Sequence, residues 1–107
     1  MYEYKAQVTG VYDGDSITVD IDLGFGVFLK GQKIRLLGID TPEIRGEERP
    51  EGLVARDALR ARIMGQNVII KTHKDTKGKY GRWLGEVLLG PENINEWLLS
   101  EGYANPY

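Results

Sequence analysis

Arg35-Leu36-Leu37-Gly38-Ile39-Asp40-Thr41-Pro42-Glu43 is where the chain passes from a buried strand into a polar loop. From Ile34 to Ile39 both faces of the run are apolar, which requires cover on both sides and so predicts a strand inside a packed domain. Residues 40–52 then form a polar stretch with two prolines and two glycines. At about a dozen residues it exceeds ordinary connections and reads as a working loop. Arg35, Asp40 and Glu43 thus stand where rigid core meets loop.

Upstream, Ser16 to Leu23 alternates, with Ile17, Val19, Ile21 and Leu23 on one face and Thr18, Asp20 and Asp22 on the other. Asp15 has the parity of the apolar face. A strand starting there points its carboxylate inward, which demands a cation or a hydrogen-bond shell. Tyr2 to Thr9 is loosely strand-like, Asp13-Gly14 marks a turn, Leu23 to Gly26 a reversal, and Val27 to Lys30 a short strand ending in a turn at Gly31.

Downstream, Leu53 to Met64 has helical spacing, with Ala55, Ala58, Leu59 and Arg62/Ile63 on one face, and Gly65 ends it. Val68 to Lys71 and Trp83 to Leu89 read as strands around a Lys/Gly-rich hairpin loop at 75–82. Ile94, Trp97 and Leu98 share a face of a short helix that ends near Gly102. Two β-rich halves with a helix between them predict one α+β or small-barrel domain over residues 1–107. Trp83 and Trp97 are expected in its core.

The chain has 107 residues, 41% hydrophobic and 28% charged, with no cysteine. That excludes a disulfide framework, thiolate zinc sites, iron–sulfur clusters and a cysteine nucleophile. A formal net charge of -2 argues against a nucleic-acid binder, but the total hides a strong polarity. Residues 1–55 hold ten acids and six bases, residues 56–82 eight bases and two acids, and residues 83–107 four acids and no base. A basic middle could face an anion while the acids serve a cation. No window approaches the roughly eighteen apolar residues of a membrane span, and Met1 to Lys5 lacks a basic region followed by an apolar stretch. The expectation is a monomer away from the membrane, cytoplasmic by default.

Asp15 and Asp40 together would repel unless a cation sat between them. Two carboxylates with a backbone carbonyl and water suit a hard ion such as Ca²⁺. Glu43 could reach a water as general base, and Arg35 and Arg82 present planar forks that match phosphate oxygens. Patterning alone leaves the other reading open, in which these are surface charges on turns.

Val11-Tyr12-Asp13-Gly14-Asp15-Ser16, the Arg35 to Glu43 run, Asp75 through Lys79-Tyr80-Gly81-Arg82, Asn95-Glu96-Trp97-Leu98-Leu99 and Glu101-Gly102-Tyr103-Ala104, in this order, resemble the staphylococcal (micrococcal) nuclease family. The resemblance covers nearly the whole chain. It implies a small five-stranded OB-type barrel with two flanking helices, and Ca²⁺-dependent hydrolysis of DNA and RNA by in-line attack of water, the 5′-oxygen leaving and 3′-phosphate ends remaining. By matching positions it implies that Asp15 and Asp40 bind Ca²⁺ by carboxylate and Thr41 by its carbonyl. Glu43 would activate or position the water, Arg35 and Arg82 would clamp the phosphate, and Lys79 and Tyr80 would lie near it.

Two departures stand out. Ser16 replaces the family's usual threonine, and the chain stops at Tyr107 where many relatives continue into another helix. Tyr103 or Tyr107 is then the candidate aromatic platform for a base. The competing expectation is a non-catalytic OB-type module that binds nucleic acid or a protein.

Overall fold

Alternating apolar residues build strands whose inner rows interlock around one core. The computed structural model describes residues 2–77 and 83–107, the side chains of 74–77 apart. In chain order the elements are β1 (Tyr2–Asp13), β2 (Ser16–Asp22), β3 (Phe28–Leu36), β4 (Ile39–Asp40), α1 (Arg49–Ile63), β5 (Asn67–Lys77), β6 (Trp83–Leu89), β7 (Glu92–Asn93), α2 (Ile94–Ser100) and β8 (Asn105–Pro106). Antiparallel neighbours run β3-β2-β1-β5-β6, and a parallel pairing of β3 with β6 closes the ring. This is a five-stranded closed barrel of OB type with two helices, and α2 is the last helix of the described residues.

Register follows the alternation. Val8 faces Val19, Val11 faces Ile17 and Ile17 faces Ile34, so the inward rows of three strands meet. Ile17, Ile34, Leu36, Ile39, Leu59, Ile63, Ile70, Ile94 and Leu98 are fully buried. Each such side chain is worth about 1.5–3 kcal/mol of transfer free energy. Helix α1 contributes Gly52, Ala55, Leu59 and Ile63 to that core, and α2 contributes Ile94 and Leu98.

Several boundaries differ from the sequence reading. Gly31 ends no strand. Its left-handed backbone (φ 67°) makes a bulge inside β3, and its N–H donates to Asp20 Oδ1 at 2.9 Å. The expected loop over 40–52 is also shorter, because a 3₁₀ turn occupies Gly46–Glu48 and α1 begins at Arg49. Pro50 sits in the first helical turn, where the missing N–H costs nothing. Trp83 is 39% exposed rather than a core residue, whereas Trp97 packs against the core beside Tyr103. The chain also adds β8, which pairs with β4 through Ile39↔Pro106 and Asp40↔Asn105.

Candidate active site

The β2–β3 register sets the site. Ser16 pairs with Arg35, and the Leu36 N–H donates to Asp15 O at 2.8 Å, so Asp15 lies directly beside the Arg35-Leu36 segment. Asp15 is buried, 5% exposed, although it stands in the turn before β2, which starts at Ser16. It has the polar shell it requires. Its Oδ2 accepts the Thr41 N–H at 3.0 Å and lies 3.4 Å from Arg35 Nη2, and its Oδ1 accepts from Ser16 Oγ at 3.3 Å.

Arg35 is held just as firmly. Its Nη1 donates to Leu36 O and Ile39 O, both at 2.9 Å, which ties the guanidinium across the turn between β3 and β4. Its Nη2 lies 3.4 Å from both Asp15 Oδ2 and Asp40 Oδ1. Breaking the Asp15 pair would leave a largely buried charge, at a cost of about 3–5 kcal/mol. The Asp40 pair is half-exposed and worth about 0–1 kcal/mol. The Tyr107 ring, 5.7 Å from the guanidinium carbon, is carried there by β8, with the Tyr107 N–H on Gly38 O.

Two carboxylate oxygens, one from the turn between β1 and β2 and one from β4, therefore converge on one cationic position. A Thr41 hydroxyl that is buried and lacks a hydrogen-bond partner lies in the same segment. Among the described residues no three Asp, Glu or His side chains gather into a metal cage. The Asp15 and Asp40 carboxylates are hard oxygen donors of the kind that would suit a sparsely held Ca²⁺.

Two glycines let the loop approach this closely. A Cβ on Gly14 would stand 2.8 Å from Thr41 Cγ2 and 2.9 Å from Thr41 Oγ1. Gly14 has an ordinary backbone angle, so close approach rather than turn geometry explains it. A Cβ on Gly52 would fall 2.2 Å from Glu43 O, so the first turn of α1 rests directly on the Glu43 main chain. The Glu43 N–H also donates to Glu48 Oε1 at 3.1 Å, and the Glu43 residue itself is exposed.

The sequence reading missed three contributors. Gly52 is one. Asn95 is another, a 4% exposed amide whose Oδ1 accepts from Val87 N–H and whose Nδ2 donates to Leu37 O and Gly85 O. It fastens α2 to β6 and to the turn that follows Arg35. The third is Asp13, whose carboxyl is pushed up to about 7 by burial and then by the adjacent Asp15. Two acids flanking a glycine were its only signal in sequence. Lys79, Tyr80 and Arg82 lie outside the described residues, and Arg35, Asp15, Asp40 and Thr41 are brought together as described.

Residues 33–107 match the staphylococcal nuclease homologue family. The chain belongs to the staphylococcal nuclease family. It is 38% identical over 105 residues to the thermonuclease of Staphylococcus hyicus, covering 95% of this chain and 59% of that protein. It is 35% identical over 100 residues to the thermonuclease of Staphylococcus intermedius, covering 91% and 56%. Over 115 residues it is 30% identical to the endonuclease YhcR of Bacillus subtilis, covering 98% of this chain and 9% of that protein. The chain therefore spans little more than half the length of the two thermonucleases. Among the described residues no helix is long and apolar enough to cross a membrane.

Proposed function

We propose that residues 1–107 form a nuclease domain that hydrolyses phosphodiester bonds of DNA and RNA with Ca²⁺. The observation that carries this reading is the convergence of Asp15 and Asp40 on the position that Arg35 Nη2 approaches at 3.4 Å. Anions fixed around one cationic point at a strand mouth suit phosphate chemistry far better than they suit stability, since buried ion pairs seldom stabilise a fold on balance.

In this reading Asp15, Asp40 and the Thr41 carbonyl would hold the ion. Bound there, Ca²⁺ supplies Lewis-acid charge to a phosphate oxygen. Glu43 takes a proton from, or orients, the water that attacks phosphorus in line with the departing 5′-oxygen. The bond from phosphorus to that oxygen breaks and the phosphate stays on the 3′ side. Arg35 and Arg82 stabilise charge developing on the non-bridging oxygens, and Lys79 and Tyr80 bind the same phosphate. Arg35 brings a preorganised fork, because two main-chain carbonyls already fix its Nη1.

Digestion of single- and double-stranded DNA and RNA, with Ca²⁺ and with chelator, followed by end analysis, tests the proposal. Ca²⁺-dependent cleavage leaving 3′-phosphate ends is expected. Cleavage indifferent to chelator would remove the ion from the mechanism, and no cleavage under any condition would leave a binding module.

A further inference from the structure

Apart from Arg35, three guanidiniums near the site are fixed by neutral acceptors. Arg45, two residues past Glu43, donates from Nη2 to the Tyr12 phenol oxygen at 3.1 Å. Arg49 donates to Ile44 O at 3.0 Å, and Arg60 donates from Nη2 to Val11 O at 2.9 Å. All three residues are exposed, and among the described residues none has a carboxylate within 4.0 Å. Two acids that neighbour them in sequence are engaged elsewhere: Glu48 accepts the Glu43 N–H, and Asp57 pairs with Arg56. Arg62, by contrast, lies on another flank of α1 and is paired with Glu92 and stacked on Trp97.

Arg49 and Arg60 are eleven residues apart, which at about 100° per residue places them within roughly 20° on one flank of α1. Val11 and Tyr12 are adjacent on β1, so Arg60 and Arg45 grip neighbouring residues of the strand that leads into Asp13 and Asp15. An arginine anchored by a neutral group keeps its full charge and loses little further freedom on binding, which makes it a preformed receptor for an anion. Tyr12, 56% exposed, adds an open ring face on which a base can stack.

We propose that Arg45, Arg49 and Arg60, with Tyr12 between them, form a track for single-stranded nucleic acid, binding phosphates next to the one that is cut. The track rests on the nuclease reading for its purpose, and its binding can be measured without cleavage. Each phosphate contact contributes about 0.7 to the slope of log affinity against log salt for a single strand.

The test measures binding of a fluorescent twenty-residue oligothymidylate in chelator across a salt series, and cleavage of that oligonucleotide and of dithymidine monophosphate in Ca²⁺. Arg45→Gln and Arg60→Gln should each make the salt slope shallower by about 0.7. Each should raise KM for the long substrate about tenfold, the worth of one charge-assisted hydrogen bond, with kcat retained. Arg45→Lys should restore most of the slope. Lys5→Gln removes the same charge about 23 Å away along β1 and should leave the slope in place.

An unchanged slope in both glutamine variants, a slope equally reduced by Lys5→Gln, or equal losses on the long and the two-residue substrate would each overturn the track. So would failure of the unsubstituted protein to bind the oligonucleotide at 50 mM salt. Absence of cleavage by a protein that still shows the slope change would instead sink the nuclease reading and keep the track.

Discussion

At one end of the β2–β3 strand pair, Asp15 and Thr41 are each 5% exposed; at the other, Phe25 is fully exposed with Leu23, Val27, Phe28 and Leu29 in solvent around it. Both ends depart from the usual sorting of side chains, in opposite directions. The polar end is over-determined. Asp15 alone is held by Thr41, Ser16 and Arg35, while Arg35 is tied to two carbonyls and α1 presses on the Glu43 loop through Gly52. The apolar end is held by its backbone, with Phe28 and Leu29 paired to Asp22 and Ile21 and with a turn in which the Gly24 N–H meets Asp22 Oδ1 and the Leu23 and Val27 main chains pair. Burying polar groups obliges the fold to fix each of them, whereas exposing apolar ones leaves each nearly independent. Substitutions at the two ends should therefore behave differently.

The largest effects belong to the polar end. Glu43→Gln should lower the cleavage rate about 10²- to 10⁴-fold, and Arg35→Gln about 10²- to 10³-fold, in steady-state digestion of DNA. Rates within threefold of the unsubstituted protein would break the contrast at its strongest point.

Gly52→Ala asks whether the loop is truly wedged. Its new Cβ meets Glu43 O, so thermal or denaturant unfolding should show a loss of about 1–3 kcal/mol. A displacement of Glu43 near 1 Å would also cost about 10² in rate. Full stability together with full activity would mean that the loop yields freely.

Asp13→Asn gives a pH-dependent effect, measured in chelator. The folded carboxyl holds its proton up to about 7, against a model value of 3.8, so between those values the folded state binds more protons than the unfolded one. Asp13 thus costs the fold nothing in acid and progressively more as pH rises towards 7. The asparagine variant should match the parent below about pH 4 and unfold at higher temperature above pH 7, while its amide oxygen can still accept the Asp15 N–H. A constant difference in melting temperature across that window would remove the proposed cause. Phe25→Ser should do least, within about 0.5 kcal/mol by denaturant unfolding. A larger loss would show that the apolar end packs in the folded state after all.

Much of the barrel was legible because alternation is local. Ser16 to Leu23 reads as a half-buried strand from alternation alone, and β2 spans Ser16–Asp22; the Asp15 carboxylate is buried as expected, although it stands in the turn just before that strand. The Arg35 to Glu43 motif also identified the family before any contact was known. What escaped was set by distant neighbours. Gly31 reads as a turn because glycine permits one; only the neighbouring strand makes it a bulge with Asp20 as acceptor. Gly52 has no visible reason in a helix until the Glu43 carbonyl is seen against it, and Asn95 looks like an ordinary polar helical residue until its three bonds reach β6 and Leu37. The start of α1 was misplaced because charged residues and Pro50 look loop-like, although proline suits a first helical turn.

By itself the sequence determined the main strands and the two helices, that the chain belongs with the staphylococcal nucleases, and which acids and arginines are candidates for phosphate chemistry. These depend on period and motif, which are properties of neighbours in the chain. Only the tertiary structure decided that Asp15, Asp40 and Thr41 meet around Arg35, that Tyr107 comes beside that guanidinium, and that Arg45 and Arg60 grip adjacent residues of β1. Such meetings depend on barrel closure and strand register, which bring together groups far apart in sequence and fix the distances at which their charges act.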